Sequence, residues 1–266
     1  MKIATFNINS IKARIPSFFD WLRTYNPDIV FLQEIKCETQ LFLFFECESL
    51  GYKTAVLGQK SYNGVAILCK YDFVITAQNI PGFTDEAMRY LEILITLKKK
   101  KLYAASVYAP NGCSPDFKVE SQKLKYKLDW FDYLYLHIKD LRRTGIPIMI
   151  GGDFNVIKSE LDAFDIKPFE NSPLYVKDVK DKIFSLENLG LHDAFRLLHP
   201  SNEGYTFWDY TANSFVTNSG LRIDYLFITA DLAEKLSFCR PDKHLRMTDR
   251  PSDHMPLVAE FEEIDV

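Results

Sequence analysis

Residues 146–155 read Ile146-Pro147-Ile148-Met149-Ile150-Gly151-Gly152-Asp153-Phe154-Asn155. An apolar run of strand length delivers two glycines, then an acid and an amide two residues apart. The run is too short for a helix and reads as a buried strand. The glycines permit close backbone approach or unusual dihedrals. Working outward, β-branched and aromatic runs predict strands at 2–8, 28–33, 53–57, 64–69, 73–79, 90–97, 102–108, 147–152, 223–229 and 256–262. Helices are expected at 13–25, 40–49, 116–143, 181–189 and 231–236. The stripe Leu124, Leu128, Phe131, Leu134 and Ile138 on the third is core packing. A strand–helix–strand opening, a run of strands on short turns, a helix and a second strand-rich half suit two mixed sheets packed face to face with helices outside. The sequence has no linker rich in Pro, Gly or Ser, so 1–266 is expected to be one domain. The polar stretch 162–182, with Pro168 and Pro173, is expected to be a long surface loop.

Composition excludes several classes. With 47% apolar and 14% aromatic residues, the chain can bury a core and is not of the disordered type. No apolar run approaches the roughly 20 residues of a membrane span, and no secretory h-region is visible. The five cysteines, Cys37, Cys47, Cys69, Cys113 and Cys239, lack CxxC spacing, which argues against a disulfide framework or a zinc site. A cytoplasmic protein is expected. The net charge of −4 lacks the basic excess usual for nucleic-acid binders. A metal-dependent site spends carboxylates, however, and the basic residues cluster: Lys12 with Arg14, the run 98–101, and Lys118, Lys123, Lys125 and Lys127. The 98–101 run reads as a hairpin turn.

Acids and amides recur where apolar strands end. Asn7 follows the first strand, Gln33 and Glu34 the second, Asp153 and Asn155 the run at 146–150. Asp224 opens one strand, and Asp253-His254 precedes the last. Strand carboxyl ends are a recurring place for chemistry. Singly, each has an ordinary reading as a turn, cap or surface pair; together their oxygens suit Mg²⁺ or Mn²⁺ better than zinc. Phosphodiester hydrolysis needs an activated water and neutralisation of developing charge. Asp153 can orient or deprotonate that water, Asn155 can hold it or a phosphate oxygen, and His254 can donate to a non-bridging oxygen. Asp224 is the candidate that fixes the His254 tautomer.

In this order the motifs resemble the exonuclease III family of AP endonucleases. The matching segments are 27–36 with Leu32-Gln33-Glu34-Ile35-Lys36, then Gly152-Asp153-Phe154-Asn155, then Gly220-Leu221-Arg222-Ile223-Asp224, and Ser252-Asp253-His254. Thr5-Phe6-Asn7-Ile8-Asn9, residues 107–111 and Tyr205-Thr206-Phe207-Trp208 fit as well. The resemblance implies a four-layer α/β sandwich of the DNase I-like kind. It implies cleavage 5′ of abasic sites in duplex DNA to leave a 3′-hydroxyl, with 3′→5′ exonuclease and 3′-end repair activities. Carried over by position, Glu34 and Asn7 bind metal, with Asp253 as a further ligand. Asp153, Asn155 and His254 complete the candidate Mg²⁺ (or Mn²⁺) set. Tyr108 contacts the phosphate or assists the leaving group, beside Asn111. Phe207, Trp208, Leu221 and Ile223 resemble the pocket for an extruded sugar, and Arg222 reaches phosphate or a neighbouring loop. The implied partner is duplex DNA with abasic sites or blocked 3′ ends, bound by a monomer in a bacterial cytoplasm near the nucleoid. Asn9 stands where some relatives carry an aspartate, and the segment 112–115 lacks an arginine that some relatives insert into DNA. The competing readings are a superfamily phosphodiesterase with another substrate (a non-specific DNase or an inositol-phosphate phosphatase) and a non-catalytic DNA-binding module.

Overall fold

Burial along the strands sorts the chain into two sheets. The computed structural model describes residues 1–98, 100–113, 121–211 and 213–262. Among these the strands are β1 (Lys2–Asn7), β2 (Ile29–Gln33), β3 (Lys53–Leu57), β4 (Val65–Cys69), β5 (Asp72–Gln78), β6 (Tyr90–Thr96), β7 (Lys101–Tyr108), β8 (Ile148–Asp153), β9 (Leu191–Asp193), β10 (Asp224–Thr229), β11 (Leu236–Pro241) and β12 (Leu257–Phe261). One six-stranded sheet runs β11-β12-β1-β2-β4-β3 and the other β5-β6-β7-β8-β10-β9. Both are mixed: β1 pairs with β2 and β7 with β8 in parallel, while the remaining pairs are antiparallel.

Successive strand residues face opposite sides, and the core divides accordingly. Ile3, Ile29, Phe31 and Ile67 meet Ile93, Ala104, Met149 and Leu226 between the sheets. Ala4, Val30 and Leu32 face outward onto Phe18, Trp21 and Leu22 of the helix Ile15–Tyr25. Val107, Ile148 and Ile150 face Trp130, Phe131, Leu134 and Ile138 of the helix Ser121–Arg142 on the other side. The layers are therefore helix, sheet, sheet, helix, as the motifs implied.

The two glycines of β8 serve close approach, not unusual dihedrals; neither has a positive φ. A Cβ on Gly151 would lie 2.4 Å from the Phe31 ring of the facing sheet, and one on Gly152 would lie 2.0 Å from the Val107 carbonyl oxygen. Backbone cannot yield as a side-chain tip can. Gly152→Ala should therefore lower stability by about 3 kcal/mol, read as a fall in the urea midpoint at unchanged slope. A wild-type midpoint would contradict this packing.

Several elements depart from expectation. The strand β11 has no counterpart among the expected elements; a register shift between Leu236 and Phe238 breaks the alternation that would reveal it. The helix expected at 231–236 shrinks to Ala230–Ala233. At three residues, β9 is too short to carry a pattern. The helix expected at 116–143 is described from Ser121; residues 114–120, with Lys118, lie outside the described residues, as does Lys99 in the connection between β6 and β7. The stretch 162–182 is no extended surface loop: it holds 3-10 turns at Glu160–Asp162 and Lys167–Phe169, and a helix starts at Lys177. Its anchor is Asp162, which is wholly buried and paired with Arg222 and Arg196. Lys127 does not belong to a basic face either. It is fully buried, and its ammonium donates to the carbonyls of Asn111 (3.0 Å), Asn155 (2.7 Å) and Pro173 (2.9 Å).

Candidate active site

Strand register assembles the site. Parallel pairing ends β1 and β2 together, Asn7 beside Gln33, and ends β7 and β8 together, Tyr108 beside Asp153. Antiparallel pairing sets Asp224, the first residue of β10, against Asp153. Asn7 then joins the two sheets: its Nδ2 donates to Glu34 Oε1 at 2.8 Å and to Asp153 Oδ2 at 2.9 Å. Below, Gln33 Nε2 donates to Ser106 Oγ (3.0 Å) and Thr5 Oγ1 (3.2 Å), a buried polar floor that holds the strand ends level.

His254 enters on a loop before β12. Ser252 Oγ donates to the Asn7 carbonyl (2.8 Å) and accepts the His254 N–H (3.2 Å), which fixes the loop to β1. The imidazole Nδ1 lies 2.8 Å from Asp224 Oδ2, and Nε2 lies 3.7 Å from Asp153 Oδ2. Asp153, Asp224 and His254 are all buried, with ligand atoms within 4.8 Å of one another, close enough to hold a metal ion. Burial raises the Asp153 carboxyl to about 7 against the pull of His254. Burial alone would depress the imidazole, but Asp224 and then Asp153 outweigh it and raise His254 to about 10.

Asn155 sits at φ 52°, with its N–H on Asp153 Oδ1 (2.9 Å) and its Nδ2 on the Ala109 carbonyl (2.9 Å). Tyr108 lies half-buried under the Arg89 guanidinium, 4.9 Å from its ring centroid. Burial, then Glu34 and Asp153, raise its phenol well above the usual value. Asn111 is exposed at the rim, its Oδ1 accepting from Cys113 N–H (2.9 Å). On the other flank Lys36 Nζ lies 2.8 Å from Glu34 Oε2 and 2.6 Å from Asn9 Oδ1, and Asn9 Nδ2 reaches Asp253 Oδ1 at 2.9 Å.

Beside His254 an apolar wall is built by backbone pairing. Isolated bridges join Ala163 to Leu221, Leu221 to Phe207 and Phe207 to His254. The Phe207 ring centroid is 5.0 Å from that of His254, and Leu221, Ile223 and Ala163 pack with it.

The model of the endonuclease/exonuclease/phosphatase family matches residues 4–254. The chain belongs to this family. Exodeoxyribonuclease III of Haemophilus influenzae is 31% identical over 272 residues, spanning 98% of this chain and 100% of that protein. Among solved structures, an AP endonuclease from Archaeoglobus fulgidus superposes with TM-score 0.91 at 30% identity, covering 99% of this chain and 100% of the other. A variant of the 3′ phosphatase NExo from Neisseria, bound to product DNA hairpin, superposes with TM-score 0.89 at 32% identity and the same coverage.

Set in this endonuclease/exonuclease/phosphatase fold, the candidates gather at one end of the sandwich with two exceptions. Arg222 is fully buried, its Nε 2.6 Å from Asp162 and its Nη1 2.9 Å from Asp193. It therefore cannot reach a phosphate, and instead ties the neighbouring 160s segment to β10. Trp208 is 1% exposed and packs with Tyr205, Met255 and Phe215, in a different cluster from Phe207. Adjacent residues of an extended segment face opposite ways, so only one of the pair can line the wall. Asn7 touches both carboxylates: its amide nitrogen donates to Glu34 and Asp153, and its Oδ1 accepts the Asn9 N–H (3.1 Å). By sequence Lys36 is an ordinary surface partner of Glu34, and neither Arg89 nor Ser252 carries a signal of its own. The i, i+2 spacing of Glu34 and Lys36 was the available signal for Lys36.

Proposed function

We propose that this chain is a divalent-metal-dependent DNA repair phosphodiesterase. It incises duplex DNA 5′ of abasic sites to leave a 3′-hydroxyl, and it trims and repairs 3′ ends. The observation that carries this is the convergence of Glu34, Asp153 and the Asp224–His254 pair at one end of the sandwich, linked by Asn7. The names of the similar proteins, an exodeoxyribonuclease III, an AP endonuclease and a 3′ phosphatase with bound DNA, support the substrate class.

The donor set fits Mg²⁺, with Mn²⁺ as a substitute: hard oxygens of Glu34, Asp153, Asn155 and Asp253, and a buried Asp224 Oδ1 that no hydrogen bond satisfies. When bound, such an ion supplies neutralisation of phosphate charge. His254 serves better as a donor than as a ligand, since Asp224 fixes Nδ1–H and keeps the ring protonated. Its Nε2–H then meets a non-bridging phosphate oxygen. Asp153 takes the proton of the attacking water, and the Asn155 amide holds that water or a phosphate oxygen. Tyr108 contacts the phosphate beside the leaving oxygen, with Asn111 at its rim. Phe207, Leu221 and Ile223 receive the extruded sugar; an abasic sugar has no base to unstack, and an intact nucleotide is too large for the same space.

We take 1–266 as one such domain acting as a monomer in the cytoplasm, near the nucleoid. All five cysteines are free and buried, as a reducing compartment permits, and no helix among the described residues is long and apolar enough to cross a membrane. The test is cleavage of a synthetic abasic duplex with Mg²⁺ and with EDTA, beside intact duplex and inositol phosphates. Binding without cutting would favour a DNA-binding module, and preference for intact duplex or inositol phosphates another phosphodiesterase. The roles also fix a pH profile. Asp153 must be deprotonated and His254 protonated, so kcat/KM should rise through a limb near or below about 7 and fall near about 10. A flat profile across that range would contradict the acid–base assignment.

A further inference from the structure

The Glu34 carboxylate already has a cation. Lys36 Nζ sits 2.8 Å from Oε2, Asn7 Nδ2 takes Oε1, and the same ammonium is 2.6 Å from Asn9 Oδ1. Asn9 in turn spends its Nδ2 on Asp253 Oδ1 at 2.9 Å. The oxygens of Glu34, Asn9 and Asp253 that a divalent ion would use at this corner are thus engaged by an ammonium and two amides. The backbone is bent to achieve it. Glu34 and Lys36 have φ of 49° and 50°, and Asn9 has 44°, in the left-handed region that L-residues avoid. Between the first two, Ile35 is pinned by hydrogen bonds to Gly64 and Ile11. An ordinary surface ion pair needs no such backbone. Lys36 also differs from the other lysine at the site. Lys127 is fully buried among three carbonyls and cannot leave, whereas the Lys36 side chain is 26% exposed and can swing out without disturbing the core.

We propose that Lys36 is a resident counter-cation of the Glu34 site, which competes with the divalent ion and so couples metal uptake to DNA binding. An ammonium and a divalent ion on one carboxylate repel each other by several times the thermal energy in a partly buried site. In the free protein one must yield, so the metal binds weakly. A DNA phosphate brings the negative charge that lets both stay, because lysine binds phosphate as a mobile point charge. By linkage, metal and DNA then strengthen each other's binding. The inference rests on the metal-dependent reading above.

The test is Mn²⁺ binding to the full chain, read from the electron paramagnetic resonance of free Mn²⁺. It is made with and without a duplex carrying a tetrahydrofuran abasic analogue, uncleavable through phosphorothioate substitution. Lys36→Met keeps the length and removes the charge, and without DNA it should bind Mn²⁺ about tenfold tighter than wild type. Lys36→Arg should keep the weak wild-type affinity, and Lys36→Gln stands in if the methionine variant does not fold. Adding duplex should tighten Mn²⁺ binding strongly in wild type and much less in Lys36→Met. Equal or weaker Mn²⁺ affinity in Lys36→Met, or equal tightening by DNA in both proteins, overturns the proposal. Absence of Mn²⁺ binding in every protein, with and without duplex, would instead remove the metal-dependent reading.

Discussion

Asp153→Asn should lower kcat on an abasic duplex by about 10⁴-fold while leaving DNA affinity near wild type, since it removes both a base and a metal-facing charge. The change is nearly isosteric, and Asp153 packs where it touches Asn7, Asn155 and His254. The same variant makes a stability prediction of opposite sign. Burial raises the Asp153 carboxyl in the folded state to about 7, above its unfolded value. For an acid shifted upward, stability is fully present below the unfolded pKa and is lost as pH rises through the folded one. In EDTA, Asp153→Asn should therefore melt higher than wild type at pH 8, and the difference should vanish near pH 4. Substantial cutting by the purified variant would remove Asp153 from the mechanism. A lower melting temperature at pH 8 would show instead that the carboxylate stabilises the fold.

The second large effect concerns His254 and Asp224 as a unit. Loss of a donor aimed at developing phosphate charge costs about 10²–10³ in kcat, and His254→Ala is expected in that range. Asp224→Asn should approach the same loss, because Asp224 orients the ring 2.8 Å away and keeps it protonated. Residues that act as one group are not additive. The double variant should be no slower than His254→Ala alone, within a factor of about three. Multiplicative losses in single-turnover kinetics would mean that Asp224 has a separate task. Its unsatisfied Oδ1, buried among the carboxylates, is where such a task would lie.

Much of the site was legible because chemistry and strand ends coincide in the chain. Asp153, Asn155, Glu34 and His254 each follow or precede an apolar run, and a rigid sheet converts that position into a shared location. The Gly-Gly step before Asp153 was legible as a special position, but its two allowed meanings were not separable from the sequence. Deciding between them required the facing Phe31 ring and the Val107 carbonyl, 120 and 45 residues away in the chain, each closer than a Cβ could tolerate. The strand β11 escaped because its bulge destroys the period that betrays a strand.

Three side chains turn inward for one reason. Lys127 is grouped with neighbouring lysines by charge, while the resemblance sets Arg222 at phosphate or a neighbouring loop and Trp208 at the pocket for the sugar. The tertiary structure spends all three internally: Arg222 on Asp162 and Asp193, Lys127 on three carbonyls, Trp208 on its own packing cluster. A side chain's chemistry is carried by the sequence, but its partners come from segments far away in the chain. Lys36 shows the converse, a residue that looks like surface and stands in the site because two positive φ angles turn it there. The sequence by itself determined the layers and the kind of chemistry, since hydrophobic period and ligand type are local properties. Only the tertiary structure decided which charges face the substrate and which are neutralised inside, because that depends on burial and on distances between strands that no local pattern encodes.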